Sequence, residues 1–300
     1  MKQAIITGAT GLIGRSLAKF LNQKKIDTIC LGRRYLDRNS IRNLFGFDAN
    51  YVCCRMDKIN DLTNILTSLD WSFDSGGTFY NFAWCGESGL TDGTLDQQLT
   101  NVSLGVNAIY TANKIGCDKF VSCGSLEETF TESFLKGKLP NYKSTQSNYA
   151  IAKLASRDMN LICSYLDKIS YIHTRISLPL DPFFQQGGYV SNVLSKIYEN
   201  KPYDSPINNQ LFDIILVEDV AKAYFQIGSK GLNKADYFIG TGRPTTLKNY
   251  FSDYKNLLSG KNNIEDFQLE DDRNFFNTQI LKKDTGFIAN GNRFQIKGLI

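Results

Sequence analysis

The stretch that most restricts what this chain can fold into lies at its start. Gln3-Ala4-Ile5-Ile6-Thr7 is a short apolar run, followed at once by Gly8-Ala9-Thr10-Gly11-Leu12-Ile13-Gly14. Leu12, Ile13, Leu17, Phe20 and Leu21 then recur at helical spacing. In a strand–turn–helix of this kind, glycine serves a tight bend, a close approach of backbone to a pyrophosphate, and close packing of helix on strand. The free N–H groups and the dipole at the helix start suit an anion. Gly8, Thr10, Gly11, Leu12, Ile13 and Gly14 are therefore expected to hold a dinucleotide, because the flanking strand and helix supply the context that an isolated glycine motif lacks.

Further apolar runs at 28–31, 51–54, 78–83, 119–123 and 170–178 are interleaved with helical stretches near 95–115 and 146–166. Strands alternating with helices predict a doubly wound parallel α/β sheet of Rossmann type, covered on both faces. Beyond 178 the texture changes. Pro182, Pro202, Pro206 and Gly187-Gly188 predict loops and short helices rather than another strand–helix–strand unit. A strand is expected over 212–217 and a helix over 218–227. The expected division is a cofactor-binding Rossmann domain over 1–178, with parts of 208–242 packing back on it. Residues 179–300 would form mainly a smaller, discontinuous substrate-binding lobe.

A net charge of +4 without a basic, aromatic-interleaved cluster argues against a nucleic-acid partner. No run approaches the ~20 apolar residues of a membrane span. The seven cysteines are scattered and odd in number, with no CxxC pair, and no secretory signal is visible; both predict a cytoplasmic protein with reduced thiols. With one histidine and no cysteine cluster, no metal site is expected.

The dinucleotide is chosen after the second strand, where an NAD site usually carries an acid for the ribose 2′-hydroxyl. Here the sequence is Leu31-Gly32-Arg33-Arg34, and Asp27 lies at the wrong end of the strand. Two guanidinium groups suit a 2′-phosphate, so NADP(H) is expected; NAD remains the alternative if the arginines are only solvated. Asp57, after the third strand, is a candidate partner for the adenine amino group or a solvated strand-end aspartate.

Tyr149 and Lys153 fall four apart in a helical segment, on one face. A free phenol, with a pKa of about 10, is a poor base at neutral pH, and a neighbouring ammonium is expected to bring it toward a usable range. Ser125, ending the fifth strand, offers a hydroxyl for a substrate oxygen.

With the glycine turn, Ser125 and the Tyr149–Lys153 pair in that order, the chain resembles the extended short-chain dehydrogenase/reductases, the NAD(P)-dependent sugar-nucleotide epimerases, dehydratases and 4-ketoreductases. The likeness runs nearly end to end: GATGLIG at 8–14, NFAW at 81–84, NVSLGVNAI at 101–109, SCGSLEE at 122–128, YAIAK at 149–153, FDIILVEDVAKAY at 212–224 and YFIGTGRPTTL at 237–247. It implies a catalytic triad of Ser125, Tyr149 and Lys153, with Ala83, Trp84, Asn101 and Leu178 close to the cofactor. It also implies a sugar nucleotide in the second lobe, and a homodimer through helices 95–115 and 146–166. Phe212-Asp213 stands where many members have Arg-Asp, so a usual contact to the diphosphate is missing or moved.

Family dehydratases carry Asp and Glu after the Ser or Thr; here Leu126 cannot donate the proton that expels water, which argues against a dehydratase. Glu127 is a possible accessory base or hydroxyl ligand. His173, inside the sixth strand, reads as structural. An NADPH-dependent 4-ketoreductase, similar to those completing CDP- or dTDP-deoxysugars, and a 4-epimerase with tightly bound NAD both remain, the arginine pair favouring the first. A non-catalytic NADP(H) sensor is a weaker third reading, because Ser125, Tyr149 and Lys153 are all present. Trp84, Phe183, Phe184 and Tyr189 can line the substrate pocket.

Overall fold

The structure, a computed structural model, describes residues 1–74, 76–87, 89–138, 146–183, 188–206, 210–260 and 275–290. β1 (Gln3–Thr7), α1 (Leu12–Gln23), β2 (Asp27–Gly32), α2 (Arg38–Phe45) and β3 (Asn50–Cys53) form the first half. A 3₁₀ turn at Met56–Asp61 and α3 (Leu62–Ser68) lead to β4 (Thr78–Asn81), α4 (Leu95–Lys114), β5 (Lys119–Ser125), α5 (Leu126–Leu135), α6 (Ser147–Asp167) and β6 (Ser170–Ile176). There follow β7 (Leu178–Leu180), α7 (Tyr189–Tyr198), β8 (Leu211–Phe212), β9 (Ile214–Leu216), α8 (Val217–Lys230) and β10 (Asp236–Ile239). The last described elements are β11 (Thr245–Thr246), α9 (Leu247–Leu258) and α10 (Gln279–Thr285).

Seven strands form one sheet in the order β10-β6-β5-β4-β1-β2-β3, every pairing parallel. This is the doubly wound Rossmann arrangement. Strand alternation divides the core: Ala4 and Ile6 face α1, α8 and α10, with Tyr80, Val121 and Tyr224. Ile5 faces α3, α4 and α6, with Phe79, Phe120 and Ala108. Strand order reverses between β1 and β4, and the crevice outside their carboxyl ends is where such sheets bind ligands. Beyond β6, α7 and α9 pack on β7 and β9 around Leu194, Leu216, Tyr250 and Phe251.

Two expected strands are interrupted. The run 170–178 breaks at Ser177, and 212–217 breaks at Asp213. Asp213 is fully buried. Its carboxylate accepts from Thr241 Oγ1 (2.5 Å) and Gly242 N (2.7 Å), and its carbonyl accepts from the Ser177 hydroxyl and from Leu178 N. A buried carboxylate needs these donors, and reaching them takes the residue out of the ladder. Thus β7 pairs with β9, while β8 pairs with β11.

Candidate active site

The glycine turn is built for a backbone–anion approach. Gly8 has φ +63°, and a Cβ there would stand 2.9 Å from Ala83 N. At Gly14 a side chain would overlap the Gly8 carbonyl, so α1 can enter close to β1 only without one. Gly11 is the N-cap of α1 and supplies no capping side chain. The first N–H groups of the helix are therefore not claimed by a side-chain cap, which fits a phosphate at this point. Thr10, Leu12 and Ile13 lie on the half-buried rim of the turn. The Thr7 hydroxyl donates to Asn81 Oδ1 (2.7 Å) and accepts from Phe82 N and Ala83 N, tying β1 to the backbone that follows β4.

Arg33 and Arg34 directly follow β2, both exposed. Neither makes an ion pair with the described residues, whereas Arg38 and Arg42 are paired with Asp48. Tyr51 donates to the Arg34 carbonyl at 2.6 Å, fixing this corner. Asp27 lies at the opposite end of β2 and accepts from Trp71 Nε1. Asp57 sits just after β3, but its carboxylate is held by Arg55 at 2.9 and 3.2 Å, which also lowers its pKa. Asn101 is spent on protein: it donates to Cys85 O (2.7 Å) and accepts from Cys85 N (3.0 Å). It shapes the segment after β4 rather than offering its amide to a ligand.

Ser125, Tyr149 and Lys153 do come together. Ser125 ends β5 and caps α5, its Oγ accepting from Glu127 N at 3.2 Å. Its hydroxyl lies near enough to the Tyr149 phenol to act on its ionisation. Tyr149 and Lys153 share the inner face of α6 and are 7% and 5% exposed. Lys153 Nζ lies 5.6 Å from the centre of the Tyr149 ring and donates to Cys123 O at 2.6 Å.

Trp84 supplies the remaining wall. Its ring face lies 3.7 Å under the Lys153 ammonium and its plane is nearly perpendicular to Tyr149. Its Nε1 donates to the buried Gln98 at 2.8 Å. The indole therefore braces the two candidate catalytic side chains. Phe183 and Tyr189 are exposed, and Tyr189 meets Phe251 edge-on; Phe184 lies outside the described residues. Leu178 N donates to Asp213 O, which fixes the turn at 177–179.

The electrostatics differ from the expectation for a free Tyr–Lys pair. Burial above all, then Cys123 and Glu128, push the Tyr149 phenol well above its ordinary value, against the opposing effect of the Ser125 hydroxyl. Burial likewise lowers Lys153. In this site Tyr149 rests as a phenol, the form of a proton donor. Desolvation of a sealed phenolate outweighs an ammonium that is itself shared with a carbonyl and an indole.

The sequence profile of the NAD dependent epimerase/dehydratase family matches residues 4–240. The chain belongs to that family. It is an NAD(P)-dependent enzyme of the extended short-chain dehydrogenase/reductase type. The CDP-abequose synthase of Salmonella typhimurium is 24% identical over 270 residues, covering 88% of this chain and 83% of the relative. The UDP-N-acetylglucosamine 4-epimerase of Bacillus cereus superposes with a TM-score of 0.73 at 14% identity, over 100% of this chain and 95% of that one. The dTDP-glucose 4,6-dehydratase of Bacillus anthracis str. Ames, solved with NAD, gives 0.73 at 18% identity, over 100% and 94%. These two likenesses show the shared fold.

Two residues beside this site were not among those the sequence pointed to. Gln98 gives no sequence signal, yet it anchors Trp84 and donates to Leu90 O and Asp92 O. Glu128 was legible as the last residue of a capping box beginning at Ser125, but not as a buried group. Among the described residues no cluster of metal-ligating side chains occurs, and no helix is long and apolar enough to cross a membrane.

Proposed function

We propose that this enzyme is an NADPH-dependent 4-ketoreductase of a nucleotide-diphospho-4-keto-6-deoxysugar. The observation that carries the reading is the pair of exposed arginines, without an ion pair among the described residues, at the carboxyl end of β2, where an NAD site would place an acid. The likeness to a CDP-abequose synthase supports a CDP-linked sugar.

The residues that would hold the dinucleotide are the glycine turn for the pyrophosphate, Arg33 and Arg34 for a 2′-phosphate, and Ala83, Lys153 and Leu178 along the inner end; Asp57 would reach the adenine only by leaving Arg55. The bound nicotinamide supplies hydride. Ser125 offers its hydroxyl to the substrate carbonyl oxygen. Tyr149 delivers a proton to the same oxygen, which turns strongly basic as the carbonyl is reduced and so draws the proton from even a raised phenol. Lys153 then stabilises the phenolate. Glu127, half-buried and within electrostatic reach of Tyr149, is an accessory group at the sugar side. Leu126 leaves no acid in the dehydratase position. The sugar nucleotide would lie over Ser125, between the sheet and the lobe formed by α7 and α9.

The second reading is a 4-epimerase retaining NAD, which the same Ser125, Tyr149 and Lys153 would serve. Denaturing the purified protein and identifying released nucleotide separates the two. The reductase is expected to release none in stoichiometric amount, to bind NADPH about tenfold or more tighter than NADH, and to reduce a member of a panel of 4-keto-6-deoxy sugar nucleotides. Stoichiometric NAD would establish the epimerase instead.

A further inference from the structure

We propose that Glu128, clamped by His173, is a positioning residue that holds Ser125 in place from beneath the site. Capping-box glutamates ordinarily sit at the solvent edge of a helix, where water solvates the second oxygen. Glu128 is 0% exposed. Its Oε1 accepts from Ser125 N at 2.7 Å, and its Oε2 lies 2.8 Å from His173 Nε2. His173, itself buried in β6, continues through Nδ1 to Ser122 Oγ at 2.8 Å, and Ser122 Oγ meets Tyr171 OH at 2.8 Å.

Three separated positions serve this arrangement. A Cβ at Gly124 would overlap Glu128 Oε1 and stand 2.5 Å from His173 Nε2, so the glycine makes the space that the pair fills. A carboxylate in a sealed interior is costly unless paired and hydrogen-bonded, and a helix cap alone does not require one there. What the pair adds is a rigid hold on the main chain at Ser125, whose hydroxyl must meet both Tyr149 and a substrate oxygen.

The pair also bears on charge, resting on the proposed role of Ser125 and Tyr149 in proton transfer. Glu128 is flanked by His173 and Arg175 on β6, Cys123 on β5 and Lys153 on α6. Tyr149 is faced by Cys123, Glu127, Glu128 and Lys153, and by Tyr224 on α8. Glu128 thus helps to keep Tyr149 in its proton-donating form.

The chain has one histidine, so ¹⁵N-histidine labelling reports on His173 alone. In the wild type its Nε2 is expected to carry the proton donated to Glu128, and Glu128→Gln should change that signal. A bare Nε2, or ring signals unmoved by the substitution, would overturn the pair. Glu128→Gln is expected to lower kcat about 10–100-fold, leave the KM for NADPH within about twofold, and move the alkaline limb of the kcat profile to lower pH. His173→Asn, too short to reach Glu128, should lower kcat likewise without the shift of the alkaline limb, since Glu128 itself is kept, and His173→Gln, whose amide reaches the Nε2 position, should recover most of the loss. This pair keeps the test alive if Glu128→Gln does not fold. A purely structural role would lower the melting temperature while leaving kcat and its pH profile unchanged in the folded variants. If the wild type reduces no keto sugar, the ketoreductase reading falls by itself. Hydrogen exchange at the Ser125 amide then decides: these substitutions, His173→Gln excepted, should speed it about 5–10-fold relative to its neighbours, and unchanged exchange would refute the positioning role.

Discussion

Tyr149 concentrates the residue-scale argument. Its ring is sealed between Trp84, Lys153 and the end of β5, and burial holds it protonated. The proposed reduction needs that proton, so turnover should be flat on the acid side of the Tyr149 pKa and fall as the pH rises through it. Tyr149→Phe keeps the ring's packing and removes the proton. It should cut kcat about 100- to 10,000-fold while NADPH titration by fluorescence stays near wild type. A variant retaining more than a tenth of the wild-type rate would exclude Tyr149 as the donor. The Tyr–Lys spacing was legible along the chain, because a helix fixes which residues share a face. The sign of the phenol's shift was not, because it depends on how much water the packed neighbours remove.

Between elements, an ionic cluster joins α5, α6, β6 and β10. Arg175 binds Glu132 at 2.9 Å and Asp236 at 2.8 Å, and Arg157 reaches Glu132 at 3.3 Å. Burial acts to raise the Glu132 pKa, but Arg175, Lys136 and Arg157 override it and hold the carboxyl at about 2. Its folded pKa lies below the unfolded value. The stabilisation is therefore complete above about pH 4.5 and is lost as the pH falls toward about 2. Glu132→Gln should cost about 1–3 kcal/mol at pH 7, less than a fully buried pair because a quarter of the Glu132 side chain is exposed. The gap between variant and wild type in chemical denaturation should close through that acid window. A gap independent of pH would show that the ion pairs do not carry the effect. None of these partners is near another in sequence except through helical spacing, so the cluster has no linear signature.

For the whole molecule, α4 and α6 pack together on one face of the sheet and leave apolar side chains outward. Leu99 and Tyr110 on α4, and Ile151, Ile162, Tyr165 and Leu166 on α6, are exposed at spacings that form a stripe on each helix. Paired stripes of this kind suit a four-helix contact between two copies, so we propose a homodimer through these helices. Sedimentation of the wild type should give a dimer, and Ile162→Glu combined with Leu99→Glu should give a folded monomer. A wild-type monomer at micromolar concentration would refute the interface. The boundary proposed at residue 178 belongs to this scale too: β10 returns to the main sheet beside β6, while β7, β9, α7 and α9 make a separate core.

What the sequence determined by itself is local or periodic. The glycine turn, the order of strands and helices, the Tyr149–Lys153 face and the arginine pair after β2 all follow from spacing along one chain, because backbone geometry converts spacing into direction. Tertiary structure alone decided the rest: the breaks at Ser177 and Asp213, the commitment of Asn101 to Cys85, the indole under Lys153, and Glu128 closed against His173. Each joins residues 16 to 69 positions apart, and each was settled by the need to satisfy a buried polar group with whichever partner the fold brought within reach.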